Sequence, residues 1–148
     1  MACRYLIDTN LLIYPQDGRE REKGDKARNL LARLGGSDDA AVPAQALAEF
    51  ADVLLRKMEP PVEPDVVLHQ VEDLLLAFPI LPLTPLVVLE ALRGVRDHGF
   101  SYFDAQIWGA ARLNQIPAVL SEDFQDGSSV EGVRFLNPLK PDFELGSL

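Results

Sequence analysis

One pattern constrains this chain more than any other: an apolar run of three to five residues, a small polar junction, then a helical stretch, repeated along its length. The runs are "RYLI" (Arg4 to Ile7), "AAV" (Ala40 to Val42), "PILPL" (Pro79 to Leu83), "PAVLS" (Pro117 to Ser121) and "VRFL" (Val133 to Leu136). Runs this short, with no polar alternation, suit strands buried on both faces, and such strands belong to parallel sheets covered by helices. The fold class that follows is α/β: a three-layer α/β/α sandwich with a mainly parallel five-stranded sheet. Of the five, "PILPL" is broken by proline and belongs at a sheet edge.

The helices between them are marked by their ends. Leu11 to Tyr14 makes a short helix before Pro15, and Arg21 to Leu34 a longer one stopped by Gly35-Gly36. Pro43 suits the first turn of a helix that runs through "AQALAEFADVLLRKM" until Pro60-Pro61. Asp65 to Phe78 carries Val67, Val71, Leu74, Leu75 and Phe78 at helical spacing. Thr84-Pro85 opens a helix ending near Gly94 or Gly99, and Ser101 opens another over Tyr102 to Asn114. "DGSS" (Asp126 to Ser129) reads as a turn.

At 148 residues with 47% hydrophobic content, the chain is expected to be a single domain over 1–148 with a sizeable core. No apolar stretch approaches the roughly 20 residues that span a bilayer, and "MACRYLID" lacks the apolar core of a secretory signal. No membrane association is expected, and the expected location is the cytoplasm. Cys3 is the only cysteine, which excludes an intramolecular disulfide and a cysteine-based zinc site. The formal charge of -9 argues against a broad basic surface for nucleic acid. It is compatible with carboxylates gathered to hold a cation, whose charge reverses the local sign. Arg19, Arg21, Lys23, Lys26, Arg28 and Arg33 crowd one segment, as a solvated helix face or as an edge that contacts phosphate.

In open parallel sheets the ligand crevice lies beyond the carboxyl ends of the strands, where the strand order reverses. Asp8 follows the first strand and Asp123 the fourth. Each also has a plainer reading, Asp8 as a helix cap and Asp123 as a turn residue. Asp104 lies three residues after Ser101 and so matches a capping pair; the same position puts an ionised carboxylate in a helix's first turn. Glu49 points away from the stripe Leu47, Ala51, Leu54 and Met58, so periodicity places it in solvent.

Taken in order, "LIDTNLLIY", "PAQALAEF", "SYFDAQIWGAA", "LSEDFQDG" and "VRFLNPL" resemble the PIN-domain ribonucleases, and within them the VapC-type toxins of toxin–antitoxin pairs. Each piece is weak alone, and their order and spacing over nearly the whole chain carry the likeness. The resemblance implies a PIN-like fold in which Asp8, Glu49, Asp104 and Asp123 form an acidic metal-binding and catalytic quartet. It overrules the solvent reading of Glu49. Thr9 and Asn10 match residues that support the first aspartate, and Ser121 the small hydroxyl residue before the last one. Asp126 is an extra acid suited to a turn with Gly127.

An oxygen-only ligand set favours magnesium (Mg2+) or manganese (Mn2+) over zinc. The activity implied is metal-dependent hydrolysis of RNA phosphodiester bonds, with Asp8 and Asp104 as direct ligands. Asp123 and Glu49 would act through water or as a general base. The resemblance also implies a homodimer and a cognate antitoxin whose tail occupies the groove. His69 and His98 stand outside the quartet. Arg19 to Lys26, or Arg93 and Arg96, would supply phosphate contacts that weaken with salt. Two other readings compete: a PIN-like protein-binding scaffold without catalysis, and a phosphoryl-transfer or receiver-type α/β domain. The second wants a lysine after a late strand, and Lys140 is the nearest candidate.

Overall fold

The computed structural model describes residues 3–148; Met1 and Ala2, counted in the expected 1–148 domain, lie outside the described residues. Its centre is β1 (Tyr5–Ile7), flanked in parallel by β2 (Ala40–Pro43) and β4 (Ala118–Leu120). Beyond β2 lies β3 (Ile80–Leu81) at one edge, where its prolines disturb no second neighbour. Beyond β4 lies β6 (Val133–Leu136), also parallel, and then β5 (Ser129–Val130). The order is therefore β3-β2-β1-β4-β6-β5.

The mainly parallel sandwich is as expected, with six strands instead of five. Ser129 belongs to β5 and not to a turn: Ser129 and Val130 pair antiparallel with Arg134 and Val133. Two residues are too few to show any periodicity. The connection is Glu131-Gly132, with φ of 48° and 84°, the paired positive angles of a tight hairpin turn.

Alternation along the strands sorts the core into two layers. Tyr5, Ile7, Ala40, Val42, Ala118 and Leu120 face one way, onto α1 (Thr9–Ile13), α2 (Arg21–Leu34), α3 (Ala44–Arg56) and α4 (Pro64–Ala77). Leu6, Ala41, Val119 and Phe135 face the other, onto α5 (Pro85–His98) and α6 (Tyr102–Leu113). A residue of β1, β2 or β4 is thus buried whichever way it points, which is why those runs are apolar.

Helix ends follow local chemistry. Asp8 caps α1, which therefore begins at Thr9, two residues earlier than expected, and a 3-10 turn over Tyr14–Gln16 carries the chain past Pro15. Helix α5 runs through Gly94 and stops at Gly99, whose φ of 72° only glycine adopts freely. Gly94 is small for a different reason: a Cβ there would stand 2.8 Å from the Trp108 ring. No helix among the described residues is long and apolar enough to cross a membrane.

The chain runs from β1 outward to β2 and β3, then returns to place β4 on the other side of β1. The reversal lies between β1 and β4, and the Asp8 N–H donates to the Leu120 carbonyl at 3.0 Å just beyond it. The two strand ends that carry Asp8 and Asp123 are therefore adjacent.

Candidate active site

Asp8 is the most deeply placed of the acidic residues, with only 6% of its surface exposed. Its Oδ1 accepts from the Thr9 N–H at 2.7 Å and its Oδ2 from the Ser121 hydroxyl at 2.7 Å. It does cap α1, as the plain reading had it, but its second oxygen is held by the end of β4. Burial is the main cause that raises its pKa to about 6; the two hydrogen bonds oppose the rise, and the charges of Asp123 and Asp104 add to it.

Asn10 joins α1 to the segment after β4. Its Nδ2 donates to Asp123 Oδ2 at 3.0 Å and to Ser121 Oγ at 3.3 Å, while its Oδ1 accepts from the Glu122 N–H at 3.3 Å. Ser121 Oγ also accepts from the Asp123 N–H at 3.0 Å. Asp123 itself is exposed, so its direction is set by these bonds and not by packing.

Glu49 is half-buried, contrary to the periodicity reading. The buried face of α3 is Ala46, Phe50 and Leu54, out of phase with the stripe Leu47 and Ala51. At ~100° per residue Glu49 lies only about 60° from Ala46, on the flank of that face. Its Oε2 accepts from Thr9 Oγ1 at 3.1 Å and its Oε1 from Gln45 Nε2 at 2.9 Å.

Asp104 occupies the first turn of α6, half-exposed. The expected capping pair is absent: Ser101 is the N-cap residue, yet its hydroxyl makes no capping bond. Among the described residues Asp104 accepts no hydrogen bond and has no ion-pair partner. Helix capping therefore does not explain its presence.

None of the four acids is paired with a basic side chain among the described residues. Several acids elsewhere are matched, as in Asp17–Arg19 at 2.9 Å, Asp52–Arg56 at 2.6 Å and Glu131–Arg93 at 2.9 Å, and others without a basic partner, such as Glu20, Glu63 and Glu144, are exposed to solvent. The donor set is hard oxygen, ionisable, and left without compensating charge, which fits a magnesium or manganese ion chemically. Its spacing is open: among the described residues no three acidic, histidine or cysteine side chains stand close enough to close around an ion.

The other nominated residues lie elsewhere. Asp126 accepts from the Asn137 N–H at 2.7 Å and pairs with Lys140 at 3.4 Å, which fastens the turn after β4 to the end of β6. His69 is exposed near Glu72, and His98 bonds Glu131 at 2.5 Å. Arg93 is held by Glu90 and Glu131, and Arg96 by Asp97. In the basic segment Arg19 pairs with Asp17 and Lys26 with Glu22, while Lys23 binds Glu122 at 2.6 Å. Tyr14 also donates to Glu122, so the residue between Ser121 and Asp123 is clamped by Lys23 of α2 and by Tyr14 of the 3-10 turn.

Gln45 and Gln106 were not singled out by sequence reasoning. Gln106 Nε2 donates to Gln45 Oε1 at 2.6 Å, and Gln45 is the residue that donates to Glu49. The available signal was a lone polar residue inside the apolar run "AQIWGAA", every position of which is buried.

The family model for the PIN domain matches residues 5–125. No curated protein sequence matches the chain. Among solved structures, a toxin–antitoxin complex from Klebsiella pneumoniae superposes with a TM-score of 0.67 at 17% identity, covering 90% of this chain and 97% of that one. The VapBC2 complex of Rickettsia felis, bound to a DNA fragment from its promoter, gives 0.59 at 11% identity over 88% and 96%. The sarcin-ricin loop cleaving toxin VapC20 of Mycobacterium tuberculosis gives 0.60 at 15% identity over 78% and 86%. At such identities the likeness is one of fold. The family match, in contrast, runs from β1 to just past Asp123 and takes in all four acids, and on it the chain belongs to the PIN-domain family.

Proposed function

We propose that this protein is a metal-dependent endoribonuclease that cleaves RNA phosphodiester bonds as the toxin of a toxin–antitoxin module. The observation that carries the reading is the group of four carboxylates, Asp8, Glu49, Asp104 and Asp123, at the carboxyl edge of the sheet without basic partners. Family membership and the toxin folds among the structural neighbours support it.

Asp8 and Asp104 would hold magnesium or manganese directly, and Glu49 and Asp123 through water. A bound divalent ion supplies acidity to a water and neutralises charge on the leaving oxygen. The chain's own contribution is to orient: Thr9 and Ser121 each fix one Asp8 oxygen, and Asn10 fixes Asp123. Glu49, bonded only to neutral donors, would take the proton from the attacking water.

The partners proposed are RNA, a second copy of the chain, and an antitoxin with a basic tail suited to the acidic groove. Exposed Leu86 and Leu89, three residues apart on α5, support a protein partner on that helix. We place the protein in the cytoplasm as one domain over 1–148. The test is cleavage of a mixed RNA pool by wild type, Asp8→Asn and Asp104→Asn, with magnesium and with chelator. Wild type should cut only with metal, and each variant should lose at least a hundredfold in rate. Near-normal cutting by either variant would show the mechanism to be wrong.

A further inference from the structure

We infer that Gln45 and Gln106 are positioning residues that set the separation between Glu49 and Asp104, the two carboxylates contributed by opposite helical layers. The inference rests on the metal-site reading above. Glu49 stands on α3, in the layer with Ile7 and Val42; Asp104 stands on α6, in the layer with Leu6 and Val119. The sheet lies between these layers. At its carboxyl edge the starts of α3 and α6 stand on opposite faces with an opening between them.

The glutamine pair spans that opening. Gln106 is two residues past Asp104 on the same helix and only 4% exposed. Its Nε2 donates to Gln45 Oε1 at 2.6 Å, and Gln45 Nε2 donates to Glu49 Oε1 at 2.9 Å, one turn along α3. The same Gln45 nitrogen lies 3.4 Å from the Phe103 carbonyl, next to Asp104. The chain of bonds continues through Glu49 Oε2 to Thr9 Oγ1, and Thr9 N–H holds Asp8. Pro43, Leu81, Val87 and Ala110 surround the pair, and in such apolar surroundings an amide bond is strong and costly to leave unmade.

Neutral amides suit this task better than charged groups. An arginine or lysine at position 45 would orient Glu49 but cancel the charge a cation needs. The glutamine orients Glu49 by one oxygen and leaves its remaining lone pairs open. Outer partners of this kind commonly change metal affinity by about 10–100-fold when lost.

The experiment compares wild type, Gln45→Ala, Gln45→Glu and Gln106→Leu for manganese affinity by calorimetry, for melting temperature without metal, and for kcat and KM on a defined RNA. Gln45→Glu keeps the acceptor for Gln106 and removes the donor to Glu49. In Gln45→Ala and Gln106→Leu the manganese dissociation constant should rise about tenfold or more; Gln45→Glu adds a charge that attracts the cation and is read by kcat, which should fall in all three with KM changed less than about twofold. If Gln106→Leu does not fold, the two Gln45 variants, at a partly exposed position, carry the test. Folded Gln45→Ala or Gln106→Leu that binds manganese as wild type does, or Gln45→Glu with unchanged kcat, would overturn the positioning role while leaving the metal site intact. Wild type that binds no manganese would overturn the site reading itself, and this inference with it.

Discussion

Asp8 shows what a single buried carboxylate does to the rest of the protein. Its pKa in the folded state is about 6, against an ordinary value of 3.8, because burial penalises the charged form. Between pH 4 and 6 the folded state therefore holds a proton that the unfolded state has released, and stability falls as pH rises through that window. Asp8→Asn removes the penalty, and Ser121 Oγ can accept from the new amide in place of its 3.3 Å bond from Asn10, which keeps Asp123 as its acceptor. Without metal the variant should be more stable than wild type at pH 7, by up to about 3 kcal/mol, and the advantage should vanish near pH 4. Thermal melts with chelator across that range check it; equal melting at pH 7 would remove the claim that Asp8 is held at a cost. Glu131, whose pKa Arg93 holds down to about 2, begins to lose its contribution as pH falls through its ordinary 4.5, but it does so equally in both proteins and cancels in the comparison. At this scale Asp8 and Asp123 were legible because strand ends mark the ligand edge. Glu49 was not: its position depends on the phase of α3 against the sheet, and Leu47 and Ala51 are apolar enough to suggest a different phase. Gln106 escaped because a glutamine's role depends on a partner 61 residues away.

Among the elements, α5 and α6 form the layer that carries Asp104, and their closest approach is Gly94 against Trp108. A Cβ at 94 would stand 2.8 Å from two ring carbons of Trp108 and 3.2 Å from the Phe100 ring. Overpacking of that kind costs typically about 1–3 kcal/mol, against a gain of about 1 kcal/mol in helix propensity. Gly94→Ala should therefore lower stability by up to roughly 2 kcal/mol in urea unfolding. Trp108, the only tryptophan, donates to the Val130 carbonyl at 3.1 Å, so its emission should shift in the folded variant. Unchanged stability and emission would contradict the close packing. The sequence offered both Gly94 and Gly99 as ends of α5, and only the neighbouring ring explains why the first is passed. The long helices and five of the six strands were legible because apolar runs and end signals agree there. β5 was invisible because its geometry comes from the Glu131-Gly132 turn and from pairing with β6, both outside its own two residues.

For the molecule as a whole, the formal charge of -9 says little until the basic residues are located. Arg19, Lys23, Lys26, Arg28, Arg56, Arg93, Arg96, Arg112 and Lys140 are each matched to an acidic side chain. The crowding of basic residues before α2 and within it was visible in the sequence, but their acidic partners were not, because Glu122 reaches Lys23 from 99 positions away, a separation given by residue numbers 122 and 23. Among the described residues Arg21, Lys57 and Arg134 make no ion pair, and Arg33 is matched to no acidic side chain but bonds the Leu148 oxygen at 3.4 Å. A protein so internally neutralised releases few counterions when it binds RNA, so affinity should fall with salt only gently. For single strands the logarithmic slope is about -0.7 per phosphate neutralised, and one to three contacts give roughly -1 to -2. The measurement is the affinity of Asp104→Asn, which should not cut, for a labelled single strand across a range of sodium chloride at fixed magnesium. A slope steeper than about -4 would mean that Lys23, Arg93 and their neighbours exchange their carboxylates for phosphate, so that the ion pairs are displaced on binding. A gentle slope that Arg21→Ala reduces further would instead place the phosphate contact at the start of α2.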